Sequence, residues 1–399
     1  MNILFLIDRY PGFGGIETVT TVLSNYFIKQ CNQVAIISYR QENVELLEKL
    51  NDNVHLYNFP NKQYRISSEN ENYLKTVIED FQPDFLINQE SYSNLIELVK
   101  VKKDNNTFKI ITVEHNSPIA RHKMLMNYFE NEKLKFSVKS LMKRFWHPLL
   151  LRKSLIQEKK YHQKIYNLSD TYILLSKQFI PILKKFGNLK SLDKIQIIEN
   201  PVTVVAQEID FEKKEKTILY IGRLDFLHKR VDRLLKIWKA MVTTCPEWKL
   251  VIVGDGPDKR NLENYVAAQN ITNVSFEGSQ KNVEAYYDKA SILCMTSNVE
   301  GFPLVLAEAM TFGCVPIVYN SFESASDIID DGINGMLITA FNENKFSEAL
   351  LELIQNTDQR VSMAKKAIED CNRFSLNVVG DKWNQVFQKT EIHVKYHKL

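Results

Sequence analysis

The sequence predicts an α/β protein built from two doubly wound, Rossmann-like domains. Three observations carry that expectation. A chain of 399 residues exceeds one ordinary hydrophobic core, so two domains are expected. Short apolar runs alternate with helix-period segments through both halves. The alternation breaks near Glu199-Asn200-Pro201, and Gln207 to Lys216 is polar and charged, which places the join there. The composition, 44% hydrophobic and 25% charged, is that of a soluble globular protein.

In the first half the expected strands are Ile3–Ile7, Val34–Ser38, Val54–Tyr57, Phe85–Asn88, Ile110–Val113 and Tyr172–Leu175. After Gly15, Val19, Val22, Leu23, Tyr26 and Phe27 recur at three- and four-residue spacing, an amphipathic helix. The second half gives strands at Ile218–Ile221, Leu250–Val253, Val274–Glu277, Ile292–Met295, Val315–Val318 and Met336–Ile338. Helical patterns near 230–244, 258–269, 283–290, 304–312, 343–356 and 358–373 separate or follow them. From Phe374 to Lys389 the tail also reads as helical, anchored by Val378, Trp383, Val386 and Phe387. The expected division is 1–200, 201–375 and a tail of 376–399. No internal repeat or low-complexity tract is visible.

Several classes are disfavoured. The five cysteines are scattered and never form C-x-x-C, which argues for free thiols in a reducing compartment and against a disulfide framework or zinc site. Met1 to Asp8 lacks a basic n-region and reads as a first strand, not a signal peptide. No apolar run approaches the roughly 20 residues that span a bilayer. There is no D-x-D triplet, no G-x-x-x-x-G-K-[ST] loop and no G-x-S-x-G elbow. Bound phosphates would therefore be neutralised by Arg, Lys and helix ends, and no metal is expected.

The chemistry concentrates in Thr296 to Gly313, where Glu300 and Glu308 stand eight positions apart around a strand-to-helix turn. Pro303 suits a helix start and Gly313 its end. The backbone of Gly301, Phe302 and Leu304 would then present N–H groups at a helix N-terminus, where an anion or sugar hydroxyl binds. A carboxylate takes paired hydrogen bonds from vicinal hydroxyls, so the arrangement suits a nucleotide sugar. A helix-start Glu favoured by the macrodipole, followed by an exposed helical Glu, fits the same residues. Upstream, strand Ile218–Ile221 runs into Gly222, Arg223 and, six residues later, Lys229. Two cations beside a strand end suit a diphosphate, Arg as a fork and Lys as a point charge; a solvated basic loop is the alternative. His228 and Arg230 read as exposed neighbours.

Weaker signals surround these. Gly14-Gly15 lies between a strand and a helix, but Glu17 stands where a dinucleotide fingerprint needs glycine, and Ser38-Tyr39-Arg40 lacks the acidic ribose ligand. Val253-Gly254-Asp255-Gly256-Pro257 reads as a turn into a helix. Gly278 to Asn282 occupies the equivalent place after the next strand and would flank a base. His115 ends a strand and is either structural or part of the cleft.

Taken together, these residues resemble family 4 of the retaining glycosyltransferases. The strongest element is the E-x7-E motif, Glu300 to Glu308 in EGFPLVLAEAM. It is joined by Gly222-Arg223-Leu224 with Lys229, Gly254-Asp255-Gly256-Pro257, Asn200-Pro201, Gly332 with Asn334-Gly335, and Gly14-Gly15 with Glu17. The resemblance implies the GT-B architecture: two facing Rossmann-like domains, an acceptor-side domain over 1–200 and a nucleotide-sugar-binding domain over 201–375, with a terminal helix crossing back to the first. It implies that Arg223 and Lys229 hold the donor diphosphate, and that Glu308 binds the ribose. Glu300, helped by the backbone of Gly301, Phe302, Pro303 and Leu304, would hold the transferred sugar. Gly15 would border the phosphates or acceptor, and His115 would lie near the donor sugar. Two positions depart from the family pattern: Arg230 follows Lys229 where glycine is usual, and Thr18 replaces a basic residue.

Charge gives a further expectation. Residues 1–195 hold 28 Lys/Arg against 20 Asp/Glu, and the remainder 23 against 28. The excess lies in 121–164, where 12 basic residues face Glu130, Glu132 and Glu158. Lys135 to Lys153 mixes cations with Phe145, Trp146 and Leu149 to Leu151, which suits an anionic bilayer surface better than nucleic acid. A solvated helix packing Phe145 and Leu149 inward is the alternative.

These readings describe a retaining, metal-independent enzyme that moves a sugar from a UDP-sugar to a lipid-linked saccharide, on the cytoplasmic face of a bacterial inner membrane. A nucleotide-sugar epimerase of the same fold is one rival; there, the sugar would leave its nucleotide without an acceptor. An inactive nucleotide-sugar-binding subunit is another, disfavoured by the intact Glu300, Glu308, Arg223 and Lys229. The sugar, the base, the acceptor linkage and the oligomeric state are not legible.

Overall fold

The computed structural model describes residues 1–89, 94–103, 108–133, 138–189, 191–206 and 208–396. It divides into two compact units. The first comprises Met1–Pro118, Gln157–Thr203 and Ser375–Leu399, and the second Ile119–Ile156 and Val204–Phe374.

The first unit carries a parallel sheet of β1 (Asn2–Arg9), β2 (Gln33–Arg40), β3 (His55–Asn58), β4 (Phe85–Asn88), β5 (Lys109–Glu114), β6 (Thr171–Leu174) and β7 (Ile195–Ile197). Their order is β3-β2-β1-β4-β5-β6-β7. The first six match the apolar runs; β7 was not expected, being three half-buried residues at the sheet edge. The central strands are buried on both faces, which is why they read as continuous Val/Ile/Leu/Phe runs rather than alternating ones. The helix Gly15–Lys29 follows β1 and buries Val19, Leu23 and Phe27.

The tail helix, Leu376–Tyr396, belongs to this first unit although the chain reaches it after the whole second sheet. Its Trp383 and Phe387 rings lie 6.2 and 5.5 Å from Phe27, and Phe387 is 4.6 Å from Phe85. Lys382 pairs with Glu199, and the Thr390 hydroxyl lies 2.9 Å from that of Thr171. Gly380 is required by packing: a Cβ there would sit 2.2 Å from the Tyr26 ring.

The second unit carries β8 (Thr217–Ile221), β9 (Lys249–Val253), β10 (Val274–Gly278), β11 (Ile292–Met295), β12 (Val315–Asn320) and β13 (Met336–Thr339), all parallel. The order is β10-β9-β8-β11-β12-β13. Strand order reverses between β8 and β11, and in such sheets ligands bind outside the strand ends at that point. The core beneath is closed by Leu234, Leu235 and Trp238 of the helix Val231–Met241 and by Phe346, Leu350 and Leu353 of Glu343–Gln355. The helices expected near 258–269, 283–290, 304–312 and 358–373 form as Lys259–Ala268, Glu284–Lys289, Leu304–Thr311 and Thr357–Cys371.

Of the basic stretch, Lys135, Phe136 and Ser137 and the side chains up to Phe145 lie outside the described residues. From Val138 a helix runs to Leu168 and passes through Pro148. On it Trp146, Leu149 and Leu150 are exposed, at 54%, 56% and 40%, so Leu149 does not pack inward. Among the described residues no helix is long and apolar enough to cross a membrane.

Candidate functional site

The switch point of the second sheet carries Arg223, Lys229 and Glu300, three of the residues singled out by sequence. The loop after β8 carries Arg223 and Lys229, and the loop after β11 carries Glu300. The Lys229 ammonium lies 2.7 and 2.9 Å from the two carboxylate oxygens of Glu300. Glu300 is buried, and Lys229 is about a quarter exposed. A cation and a carboxylate, 71 residues apart in sequence, thus form one half-buried pair at the strand ends.

Two loop contacts hold Lys229 there. The Thr296 hydroxyl donates to the Arg230 carbonyl at 2.9 Å, and the Asn298 amide donates to the Leu227 carbonyl at 3.0 Å. Arg233 braces Asn298 from below at 2.6 Å. Arg230 adopts φ +52°, the left-handed region that favours glycine, and caps the helix Val231–Met241. The chain therefore keeps at Arg230 the kind of turn that glycine adopts readily, at some steric cost. The Arg230 guanidinium, turned back onto Asp232 at 2.9 Å, is committed to that turn. His228 and Arg230 are thus half-buried loop anchors, not the exposed neighbours their sequence context suggested.

Arg223 is 59% exposed and donates to Asp225 at 2.7 Å. Asp225 also accepts from the His228 backbone at 2.6 Å and lies 2.8 Å from its ring. Burial alone would raise the Asp225 carboxyl pKa; the hydrogen bonds from His228 and the charges of His228 and Arg223 outweigh it and hold the group well below the carboxylate range. Arg223 is aimed by a buried anion with its outer face open to solvent. The tight glycines explain the loop's path. A Cβ on Gly254 would sit 1.9 Å from the Gly222 carbonyl, and one on Gly256 2.3 Å from that of Leu224. The Gly254–Pro257 segment therefore props the Arg223 loop.

Glu308 lies within the helix Leu304–Thr311, buried, and its Oε2 accepts from the Tyr287 hydroxyl at 2.8 Å. Tyr287 is fully buried; burial and the Glu308 charge raise its pKa far above the ordinary value, so it remains a donor. Sequence reasoning did not single out Tyr287, because the pairing crosses 21 residues with no spacing signal. Pro303 begins the helix without a side-chain cap, and Gly313 ends it at φ +69°. Phe302 packs on Phe374 at 5.2 Å, and Ser324 donates to the Gly301 carbonyl, fixing the turn between the glutamates.

In the first unit, Gly15 begins its helix, and the neighbouring Gly14 is packed so closely that a Cβ would strike the Glu17 carboxylate. Glu17 is buried and takes the Arg9 guanidinium at 2.8 Å, a structural role. His115 is 7% exposed at the end of β5, with Nε2 2.7 Å from the side-chain amide oxygen Oε1 of Gln89. Burial pushes its pKa down to about 3, so the ring is neutral at physiological pH. Among the described residues no group of three or more His, Cys, Asp or Glu suited to a metal occurs.

Two Rossmann-like sheets, the second holding a paired Lys–Glu and a buried Glu at its switch point, make up a fold of the GT-B class. Residues 13–205 match the model described as Glycosyltransferase Family 4, and residues 203–370 that described as Glycosyl transferases group 1. The chain belongs to glycosyltransferase family 4. A Haemophilus influenzae relative, an uncharacterized glycosyltransferase, is 32% identical over 190 residues, covering 47% of this chain and 54% of that protein. A Campylobacter jejuni relative, GalNAc-alpha-(1->4)-GalNAc-alpha-(1->3)-diNAcBac-PP-undecaprenol alpha-1,4-N-acetyl-D-galactosaminyltransferase, is 31% identical over 48% of this chain and 53% of its own length. The chain thus spans about half the length of the curated relatives it matches. Among solved structures, TarM of S. aureus in complex with Fondaparinux, alpha-GlcNAc-glycerol and UDP superposes with a TM-score of 0.74 at 15% identity, covering 97% of this chain and 100% of that one. Anabaena HepE with UDP and glucose gives 0.74 at 15% identity over 98% and 100%. At such identity these two show the shared fold.

Proposed function

We propose that this protein is a retaining, metal-independent glycosyltransferase that transfers a sugar from a UDP-sugar to a lipid-linked saccharide during assembly of a bacterial surface polysaccharide. The observation that carries the reading is the Lys229–Glu300 pair at the switch point, with Glu308 buried eight positions along. Arg223 and Lys229 take the donor diphosphate and absorb charge as the nucleoside diphosphate leaves. Glu308 takes the ribose hydroxyls. Glu300 and the backbone of Gly301 to Leu304 hold the transferred sugar. Gly15 and His115 serve from the first unit, bordering the phosphates or acceptor and the donor sugar respectively. The acceptor hydroxyl attacks from the leaving group's own face. Its oxygen bonds to the anomeric carbon as the carbon–phosphate-oxygen bond breaks, and the departing phosphate takes the hydroxyl proton. Configuration is thereby kept.

UDP is favoured by the ligands named for TarM and HepE, and a lipid-linked acceptor by the name of the Campylobacter relative. The excess of cations over 121–164 and the exposed Trp146, Leu149 and Leu150 support attachment to an anionic bilayer, on the cytoplasmic face of the inner membrane. Each cation near such a surface contributes about 1 kcal/mol before screening. Co-sedimentation with anionic and neutral liposomes tests this, and equal, negligible binding to both ends it.

The donor reading is tested by thermal stabilisation with UDP, GDP, ADP and NAD, each with and without magnesium. A magnesium-independent shift with UDP alone is expected. A shift with NAD alone overturns the assignment. Glu308→Ala should weaken donor binding and Arg223→Ala mainly slow turnover; wild-type kinetics in both would sink the site.

A further inference from the structure

The ends of β4 and β5 in the first unit carry three buried polar side chains that sequence reasoning did not connect. Asn88 is fully buried, and neither of its amide atoms has a partner among the described residues. Gln89 is 1% exposed, and its Nε2 likewise has none. Its Oε1 is spent on His115, at 2.7 Å from ring Nε2. Leaving a buried amide donor without an acceptor costs about 1–3 kcal/mol. A carboxamide kept at that cost, beside a buried histidine, points to work done through its one satisfied bond.

That bond fixes the state of the ring. A carbonyl oxygen has only lone pairs to offer, so the His115 nitrogen facing it must carry the proton. A neutral imidazole has one N–H, and Nδ1 is left with the lone pair. Gln89 and His115 line one small pocket with Val19, Asn200, Pro201 and Trp383, all within the first unit. Asn200 and Pro201 belong to the sequence motif at the domain join.

We infer that Gln89 is a positioning residue: it locks neutral His115 as the Nε2–H tautomer, so that Nδ1 is held as an acceptor for a substrate hydroxyl. The first half of this inference stands on the Gln89–His115 contact and the burial that keeps the ring neutral, and the second rests on the transferase reading above. In that role His115 orients a hydroxyl by accepting its proton's hydrogen bond, without itself being protonated.

The test labels histidine with nitrogen-15 in the full-length protein and reads ring protonation by two-bond correlation spectra in wild type, Gln89→Leu and Gln89→Glu, with His115→Asn to assign the signal. Turnover is read as UDP released from UDP-glucose, UDP-galactose and UDP-N-acetylglucosamine, and circular dichroism with thermal unfolding of the full chain checks that each variant is folded. Wild type should show Nε2 protonated. Gln89→Leu should show a mixture of tautomers and about tenfold lower kcat with the donor KM unchanged. Gln89→Glu, which keeps an acceptor facing Nε2, should restore both the tautomer and most of the rate. A wild-type ring protonated at Nδ1, or the same tautomer in Gln89→Leu as in wild type, overturns the inference. His115→Asn with wild-type turnover would instead remove His115 from the reaction and with it the second half of the inference, while the tautomer result still judges the first.

Discussion

Replacing Glu300 by glutamine should tighten nucleotide binding and slow sugar transfer at the same time. The Lys229 ammonium points both of its described bonds at Glu300, at 2.7 and 2.9 Å. A diphosphate arriving at Lys229 must share that cation with a buried carboxylate and meets its negative charge. A charge-assisted bond contributes about 1.5–3 kcal/mol and a neutral one about 1 kcal/mol. Glutamine keeps the side chain's shape and one accepting oxygen, so the substitution frees about 0.5–2 kcal/mol for the incoming phosphate. That is about two- to thirtyfold in Kd. Calorimetric titration with UDP and GDP at fixed ionic strength measures it, since screening weakens the half-exposed part of the interaction. Transfer from a nucleotide sugar should fall, because the sugar loses its anionic acceptor. If UDP binds Glu300→Gln no tighter than wild type, Lys229 is not the diphosphate ligand, and the pair is a structural ion bridge. If transfer also stays at the wild-type rate, Glu300 does not hold the sugar.

Tyr287→Phe removes the donor that steadies Glu308 and should weaken nucleotide binding about five- to tenfold while leaving the fold intact, as read by the same titration. Gly380→Ala should lower the melting temperature, with about 1–3 kcal/mol lost, because a methyl must displace the Tyr26 ring; differential scanning calorimetry reads this. His115 holds a folded-state pKa near 3 against about 6.5 when unfolded, so the unfolded chain takes up the proton first. Its contribution to stability is complete above about pH 6.5 and is lost as pH falls towards 3, by up to about 5 kcal/mol. Denaturant unfolding of His115→Asn should show a shallower decline across that window.

Twelve of the thirteen strands among the described residues were legible in the sequence, the central ones because parallel strands buried on both faces need unbroken apolar runs, and the exposed edge strands β3 and β10 through the short patterns Val54–Tyr57 and Val274–Glu277. β7 escaped because three half-buried edge residues leave no such run. The return of the tail was foreshadowed only as a resemblance; what holds it is Trp383 and Phe387 against Phe27 and Phe85, contacts that span most of the chain. Glu300, Arg223 and Lys229 could be named from sequence because each sits near turn residues, and Glu308 because it follows Glu300 at a fixed local spacing. The left-handed turn at Arg230 could not, since an arginine gives no local sign of positive φ.

The sequence by itself determined the two-sheet α/β class, the order of the strands along the chain and the candidate residues near each strand end. Those depend on periods of two to four residues and on glycine and proline at turns. Only the tertiary structure decided which of those residues meet. Lys229 with Glu300, Tyr287 with Glu308 and Gln89 with His115 are pairs 71, 21 and 26 residues apart, joined when strands from distant parts of the chain lie side by side. Hydrogen bonds act over about 3 Å, a distance that sheet packing sets and sequence separation does not.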